Sequence, residues 1–427
     1  MLTRLDLRGD DADVRALLAR ADAGATPDDL ESVRAVIADV RARGDAAVRE
    51  LTERFDGCVV GDLRIPEDAL MVALDAIDDE LRDALTYARD AIRAYHEAQG
   101  SAGLVFERNG VHLREIVIPV ARAGCYVPGG RAAYPSTVLM TAVPARVAGV
   151  PEIAMCVPPD RDGQVPTATL AAAALAGVDE VYRIGGAQAI AALAYGTETI
   201  RPVDVVVGPG NRYVALAKRE VAGTVGVESF AGPSELVVIA DETAPPDLVA
   251  ADLLAQAEHG PDGAAVLVTW RDDVADAVDA ALVQLLDGAG RRTDIEATLT
   301  TGGRTILVDH ATQALTVANV IAPEHLELMT ADPDALVLLV RNAGAVFCGP
   351  FAPAVVGDYV AGTNHVLPTA RTARFASALR VDDFCKHVPV VDVDAETLSR
   401  LAPHIRALAA AEGLDAHGRA VALREGR

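Results

Sequence analysis

The sequence predicts an α/β protein of two doubly wound, Rossmann-like domains, one inserted in the other, with helical N- and C-terminal arms. Three observations lead there. Short apolar runs at Glu152–Val157, Glu180–Ile184, Val203–Val207, Glu235–Ala240 and Ala264–Trp270 alternate with helical stretches, the pattern of βαβ units feeding parallel sheets. The runs fall into two blocks, one over about residues 125–233 and one resuming at Glu235. The preceding residues, from about 10 to 100, read as helix, so the second sheet is expected to draw elements from both sides of the middle block.

These observations set the expected boundaries: an N-terminal arm over 1–22, a first α/β domain over 23–122 and 235–378, a second, inserted α/β domain over 123–234, and a C-terminal helical arm over 379–427. A helix start is written at Thr26-Pro27-Asp28-Asp29, where a hydroxyl cap, a first-turn Pro and two acids suit the positive end of a helix dipole. A long amphipathic segment runs from Pro66 to about Gln99. The tail reads as helices over Ala395–Ala411 and Glu412–Arg424, placed either to cap the core or to reach into a partner subunit.

Composition narrows the function. The 427 residues are 51% hydrophobic and 23% charged, enough apolar material for a large core. A net charge of −24 opposes phosphate backbones and anionic headgroups, so the expectation is small-molecule chemistry with no nucleic acid and no membrane partner. Five scattered cysteines with no C-x-x-C pair indicate neither a disulfide framework nor a thiolate zinc site. Acids stand where a signal peptide would be apolar, and every apolar stretch is broken well short of about 18–20 residues, so a soluble, cytoplasmic protein is expected.

Nine histidines divide by their neighbours. His96, His112, His310, His387 and His404 read as structural or solvated. Gln256 and His259 are three apart in LLAQAEHGPD, from Leu253, and project from one helix face; they suit a shared metal, or a plain helix end stopped by Gly260-Pro261. Glu324 and His325, after Pro323, read as a helix start at which a carboxyl and an imidazole flank one cavity, fit for two proton transfers, or as a first-turn acid favoured by the dipole. Asp358 and His365 lie in the loop GDYVAGTNHVLPT, from Gly357. His417 stands in EGLDAH, from Glu412. Together Gln256, His259, Asp358 and His417 make an N/O set of the size that zinc or a neighbouring divalent ion takes, with Glu324 and His325 as acid and base. In the middle block, VVGPGN from Val206 and IGGAQ from Ile184 carry strands into helices, where backbone amides hold phosphates, although neither is the G-x-G-x-x-G fingerprint.

With GCYVPGGRAAYPSTVLMTAVPA from Gly124, RIGGAQAIAALAYGTETI from Arg183, VVGPGNRYVALAK from Val206, FAGPSELVVIAD from Phe230 and APEHLEL from Ala322, these motifs resemble the histidinol dehydrogenase family over about residues 120–420. The resemblance implies an NAD-dependent enzyme with one zinc per subunit. It would oxidise L-histidinol through L-histidinaldehyde to L-histidine, ending histidine biosynthesis, a four-electron oxidation using two NAD. It also implies a homodimer whose active site is shared between subunits. Carried over residue by residue, the resemblance gives zinc to Gln256, His259, Asp358 and, from the other subunit, His417. It makes Glu324 and His325 the catalytic bases and Tyr126, Gln188 and Asn211 the NAD contacts. Ser234, His365, Glu412, His325 and the metal ligands would contact the substrate. Ala370-Arg371 departs from the pattern, where smaller residues are expected. First principles would put zinc on the alcohol oxygen; the resemblance instead implies that it holds the substrate's nitrogens. Two rivals stand beside this reading: a zinc-free route through a Cys125 nucleophile, and a catalytically silent homologue that only binds a ligand.

Overall fold

The computed structural model describes residues 1–427 apart from 10–13, 15–25, 101–102, 131, 230–231, 233, 261 and 427. In chain order β1 (Thr3–Asp6) precedes helices α1 (Pro27–Arg43), α2 (Asp45–Asp56), α3 (Glu67–Ala76) and α4 (Asp79–Ala98). At α1 the predicted start is a capping box: the Thr26 hydroxyl accepts from Asp29 N–H, and the Asp29 carboxylate accepts from Thr26 N–H. The Pro66–Gln99 stretch is two helices, because Asp78 accepts from Leu81 N–H and caps a new start.

After β2 (Val105–Arg108) and β3 (Val111–Pro119), the middle block alternates strictly: β4 (Arg122–Tyr126), α5 (Pro135–Val147), β5 (Glu152–Val157), α6 (Thr167–Ala176), β6 (Glu180–Arg183), α7 (Gly186–Tyr195), β7 (Val205–Val207), α8 (Arg212–Val221) and β8 (Gly226–Val227). Its strands form a parallel sheet in the order β6-β5-β4-β7-β8. Next come β9 (Glu235–Ala240), α9 (Pro246–Ala257), β10 (Ala264–Thr269), α10 (Asp272–Leu286), α11 (Arg292–Gly302), β11 (Gly303–Leu307), α12 (Ala311–Ile321), β12 (His325–Met329), α13 (Pro333–Val337), β13 (Ala345–Cys348) and α14 (Ala354–Tyr359). They build a second parallel sheet, β1-β11-β10-β9-β12-β13. Each five-strand set runs third, second, first, fourth, fifth, so each sheet has one switch point: β4/β7 in the smaller, β9/β12 in the larger.

β1 belongs to the larger sheet and the smaller sheet is threaded between β1 and β9, so the larger one does draw on both sides of the middle block. Three details depart from the expected boundaries. Residues 3–6 are an edge strand beside β11, not part of a helical arm; the rest of that arm, but for residues 1–2, 7–9 and 14, lies outside the described residues. Helices α1–α4, assigned from sequence to the larger domain, pack on α5–α8 of the smaller one. Their apolar faces, with Val33, Ile37, Val48 and Leu51, share a core with Tyr126, Ala189 and Ile190.

The third departure is at the C-terminus. The chain divides into two compact units, residues 1–99 with 121–384, and residues 100–120 with 385–427. The second unit pairs β14 (Cys385–Asp392) with β3 and β2 in an antiparallel sheet, followed by α15 (Ala395–Ala411) and α16 (Asp415–Arg424), so the expected helical tail opens on a strand. Val388 and Val390 stand two apart in KHVPVVD, a strand period, and Val391 adds a further β-branched residue. Asn109-Gly110, both at positive φ, turn β2 into β3. No helix among the described residues is long and apolar enough to cross a membrane.

Candidate active site

In the larger sheet, the amino ends of β9 and β12, adjacent parallel strands, bring the catalytic candidates together. Glu324 and His325 do not start a helix. α12 ends at Ala322, held at φ 51, Pro323 follows, and His325 enters the sheet between β9 and β13. Pairing on both sides of HLELM overrides the Pro-Glu helix-start pattern. Gly344, entering β13, lies so close that a Cβ there would stand 2.6 Å from the Glu324 carbonyl oxygen.

The acid and the base are both buried, and Glu324 Oε2 lies 3.6 Å from His325 Nδ1. Glu324 Oε2 accepts from Ser234 Oγ at 2.5 Å and from Glu235 N–H at 3.1 Å. Burial raises the Glu324 carboxyl above its ordinary range, against the pull of His325 and the Ser234 hydrogen bond. Burial alone would lower His325, but the charges of Glu324 and Asp358 outweigh it and raise the imidazole to about 9. The other ring nitrogen, Nε2, lies 3.6 Å from Asp358 Oδ1. Burial works to raise Asp358, yet His325, His365 and His259 together hold it below its ordinary value. Asp358 sits near the end of α14, next to Gly357, where a Cβ would fall 2.7 Å from the Phe347 ring; glycine lets α14 approach the aromatic that lies 6.0 Å from the His325 ring.

His365 stays in a loop, as expected, with Nδ1 3.0 Å from the Asp358 carbonyl and Nε2 3.2 Å from Thr137 Oγ1. Gln256 is buried in the last turn of α9, its Oε1 3.3 Å from Ser234 Oγ, and its Nε2 has no partner among the described residues. His259 stands just past the helix, exposed; its Nδ1 lies 3.2–3.3 Å from the carbonyls of Ala255 and Gln256, so Nε2 is the nitrogen that could take a ligand. Glu412 and His417 belong to the second unit, where both are exposed, Glu412 at the end of α15 and His417 in the first turn of α16.

The donors fit a divalent cation. Gln256 can rotate its amide to give nitrogen to Ser234 and free the oxygen that a cation takes. His259 keeps one nitrogen open, and Asp358 is held ionised. Among the described residues, no group of three or more His, Cys, Asp or Glu is arranged to hold a metal. The set in this unit counts two of those types and an amide.

The NAD candidates occupy the carboxyl edge of the smaller sheet. Tyr126 ends β4, and its hydroxyl accepts from Gly186 N–H at 3.1 Å. Gln188, in the first turn of α7, is 1% exposed with neither amide atom partnered among the described residues, an orphan that a bound group would satisfy. Asn211 caps α8, its Oδ1 accepting from Tyr213 and Val214 N–H. Sequence reading missed the clamp beneath this loop. Buried Lys218 donates to the Gly208 carbonyl at 2.9 Å and pairs with Glu228 at 2.7 Å, while Gly208 N–H donates to the same Glu228 oxygen. A lysine on the buried face of α8 is the signal that could have found it. Gly208 itself, at φ 114, passes so close to the Tyr126 carbonyl that no Cβ fits.

Cys125 lacks the exposure and the thiolate character that a nucleophile needs. It is fully buried, and burial pushes its thiol up to about 12.

A parallel sheet that presents glycine turns and helix starts at its switch point holds dinucleotides. Joined to a buried acid and base, it defines the class: an α/β oxidoreductase that works with a dinucleotide. Known proteins narrow this further. The model of the histidinol dehydrogenase family matches residues 20–425. Histidinol dehydrogenase of Rhizobium meliloti is 52% identical over 397 residues, 92% of this chain and 91% of its own. That of Geobacillus kaustophilus is 48% identical over 408 residues, 95% and 96% of the two chains. The crystal structure of histidinol dehydrogenase from Elizabethkingia anophelis superposes with a TM-score of 0.94 at 34% identity, covering 99% of this chain and 98% of that one. The chain belongs to the histidinol dehydrogenase family. It is an NAD-linked oxidoreductase of histidine biosynthesis.

Proposed function

We propose that the chain oxidises L-histidinol through L-histidinaldehyde to L-histidine, a four-electron reaction that reduces two NAD, as a cytoplasmic zinc enzyme and homodimer. The observation that supports it most is the burial of Glu324 and His325 side by side, within reach of Ser234 and Asp358. Gln256, His259, Asp358 and His417 of the partner subunit would hold one zinc per subunit; His417 is exposed and so open to a neighbouring molecule. Bound zinc would fix the substrate's amino and imidazole nitrogens and, by engaging Asp358, draw His325 down toward the range a base needs at neutral pH. NAD, held at Tyr126, Gln188 and Asn211, supplies the hydride acceptor for each oxidation.

The residues' work follows from proton balance. His325 takes the hydroxyl proton as hydride leaves the alcohol carbon, giving the aldehyde. Glu324, its basicity raised by burial, takes a proton from water as that water adds to the aldehyde carbon, while the protonated His325 returns its proton to the former carbonyl oxygen, giving the gem-diol and freeing His325 to act again. His325 then takes a gem-diol proton as the second hydride leaves, giving the acid. Ser234 and His365 border the same space, and Glu412 adds a carboxylate suited to a cationic substrate. A net charge of −24 favours the approach of that substrate and leaves anionic NAD dependent on local amides.

The test is absorbance at the NADH wavelength on mixing zinc-loaded protein with L-histidinol and NAD, with product counted. Two NADH per histidinol consumed supports the reading. A flat trace would favour the binding-only rival, and one NADH with aldehyde released would overturn the four-electron assignment.

A further inference from the structure

We propose that Glu327 and Asp252 form a proton-sharing carboxyl pair that positions the working residues, tying the strand of His325 to the helix of Asp358 and to the helix that carries Gln256 and leads into His259. The inference rests on the site reading above. Glu327 follows His325 by two residues on β12, so both side chains leave the same face of the sheet. It is 1% exposed. One carboxyl oxygen, Oε1, accepts from Ala354 N–H at 2.8 Å. Ala354 opens α14, and Pro353 before it offers no capping side chain, so Glu327 supplies the acceptor that this helix start lacks. Four residues on in α14 stands Asp358.

The other oxygen, Oε2, is buried and has no donor among the described residues, and the carboxyl it leaves in want of a proton faces that of Asp252. Asp252, Gln256 and His259 follow one another at spacings of four and three, one face of a helical path. Thus one buried side chain contacts the elements that carry or lead into four of the candidate residues.

Two carboxyls can share a hydrogen bond only if one keeps its proton. Glu327, 1% exposed where Asp252 is only half-buried, is the deeper group and the one that keeps it; burial raises both carboxyls, and the Asp252 charge raises Glu327 further. Neutral Glu327 then donates O–H to the Asp252 carboxylate and accepts from Ala354. It also spares His325 a third neighbouring anion after Glu324 and Asp358.

The experiment uses the full-length, zinc-loaded enzyme and compares Glu327→Gln, Glu327→Leu, Asp252→Ala and His325→Asn for kcat, the KM values of histidinol and NAD, and melting temperature. Glutamine can accept from Ala354 and donate to Asp252, so E327Q should keep kcat within about threefold of wild type. E327L keeps the volume and loses both bonds, and its kcat should fall about tenfold or more with the NAD KM unchanged. Asp252 is only partly buried, so if E327L fails to fold, D252A reads the same link with an expected loss of about fivefold in kcat. Wild-type kcat in E327L or D252A, or equal damage in E327Q and E327L, would overturn the proposal. A lowered melting temperature with kcat intact would do so too, leaving only a stability role. H325N separates the two readings: if it stays active, the site assignment has failed, and if it is dead while E327L is not, only the pair has.

Discussion

Ser234 Oγ stands between two acceptors, 2.5 Å from Glu324 Oε2 and 3.3 Å from Gln256 Oε1. A hydroxyl has one proton, so it cannot donate to both. The conflict resolves if Glu324 is protonated and donates to Ser234, or if Gln256 turns its nitrogen inward. The first suits the raised carboxyl and the second the metal-binding reading, so Ser234 reports the state of both neighbours.

Replacing Ser234 by Ala removes that relay and leaves Glu324 with the Glu235 N–H alone. A net loss of about 1–2 kcal/mol predicts a fall in kcat/KM of roughly tenfold. With Glu324 serving the hydration step, as proposed, aldehyde oxidation should suffer at least as much as alcohol oxidation. Supplying histidinaldehyde directly checks this.

Cys125→Ser should turn over within about threefold of wild type, since a thiol pushed up to about 12 carries almost no thiolate at neutral pH. Steady-state assay of the purified variant decides it. A thousandfold loss would revive the covalent route.

Lys218→Met leaves the Glu228 carboxylate buried without its cation, both side chains being 1–2% exposed. Such a break costs about 3–5 kcal/mol. The variant should melt well below wild type, and where it folds the NAD KM should rise more than the histidinol KM, because the clamp holds Gly208 at the cofactor edge. Thermal denaturation with and without NAD measures both effects.

Much of this was legible in the sequence. The strand runs predicted the parallel sheets because their Val- and Ile-rich segments are buried on both faces, and the insertion followed from their order. His96 and His310 are structural, as read: His96 is buried with Nδ1 2.7 Å from the Ile92 carbonyl, and His310 caps α12. What failed depends on distant partners. Glu324 and His325 look locally like a helix start, and only pairing with β9 and β13 makes His325 a strand residue. The faces of α1–α4 say that they need a partner, not which sheet supplies it. Ala370-Arg371, flagged as larger than expected, lies wholly at positive φ, 51 and 66, where smaller residues are the easier fit.

A pH prediction comes from the amino edge of the smaller sheet. Burial would raise Glu180, but hydrogen bonds from Arg122 and Tyr182 and nearby guanidinium charge hold it at about 2. A carboxyl depressed in the folded state stabilises above its unfolded value near 4.3 and loses that contribution as pH falls toward 2. The contribution is on the order of 3 kcal/mol, so wild type should lose stability between about pH 4.5 and 2. Glu180→Gln should flatten that part of the curve, as urea unfolding across the window would record.

The central claim is that His325 takes the proton in both oxidations. Turnover of His325→Asn on L-histidinol and on histidinaldehyde, with zinc content measured on the same sample, tests it most directly. The account predicts that kcat falls about a hundredfold or more on histidinol, with the second oxidation also reduced and zinc unchanged. Undiminished histidinol oxidation in a zinc-replete H325N enzyme would contradict it.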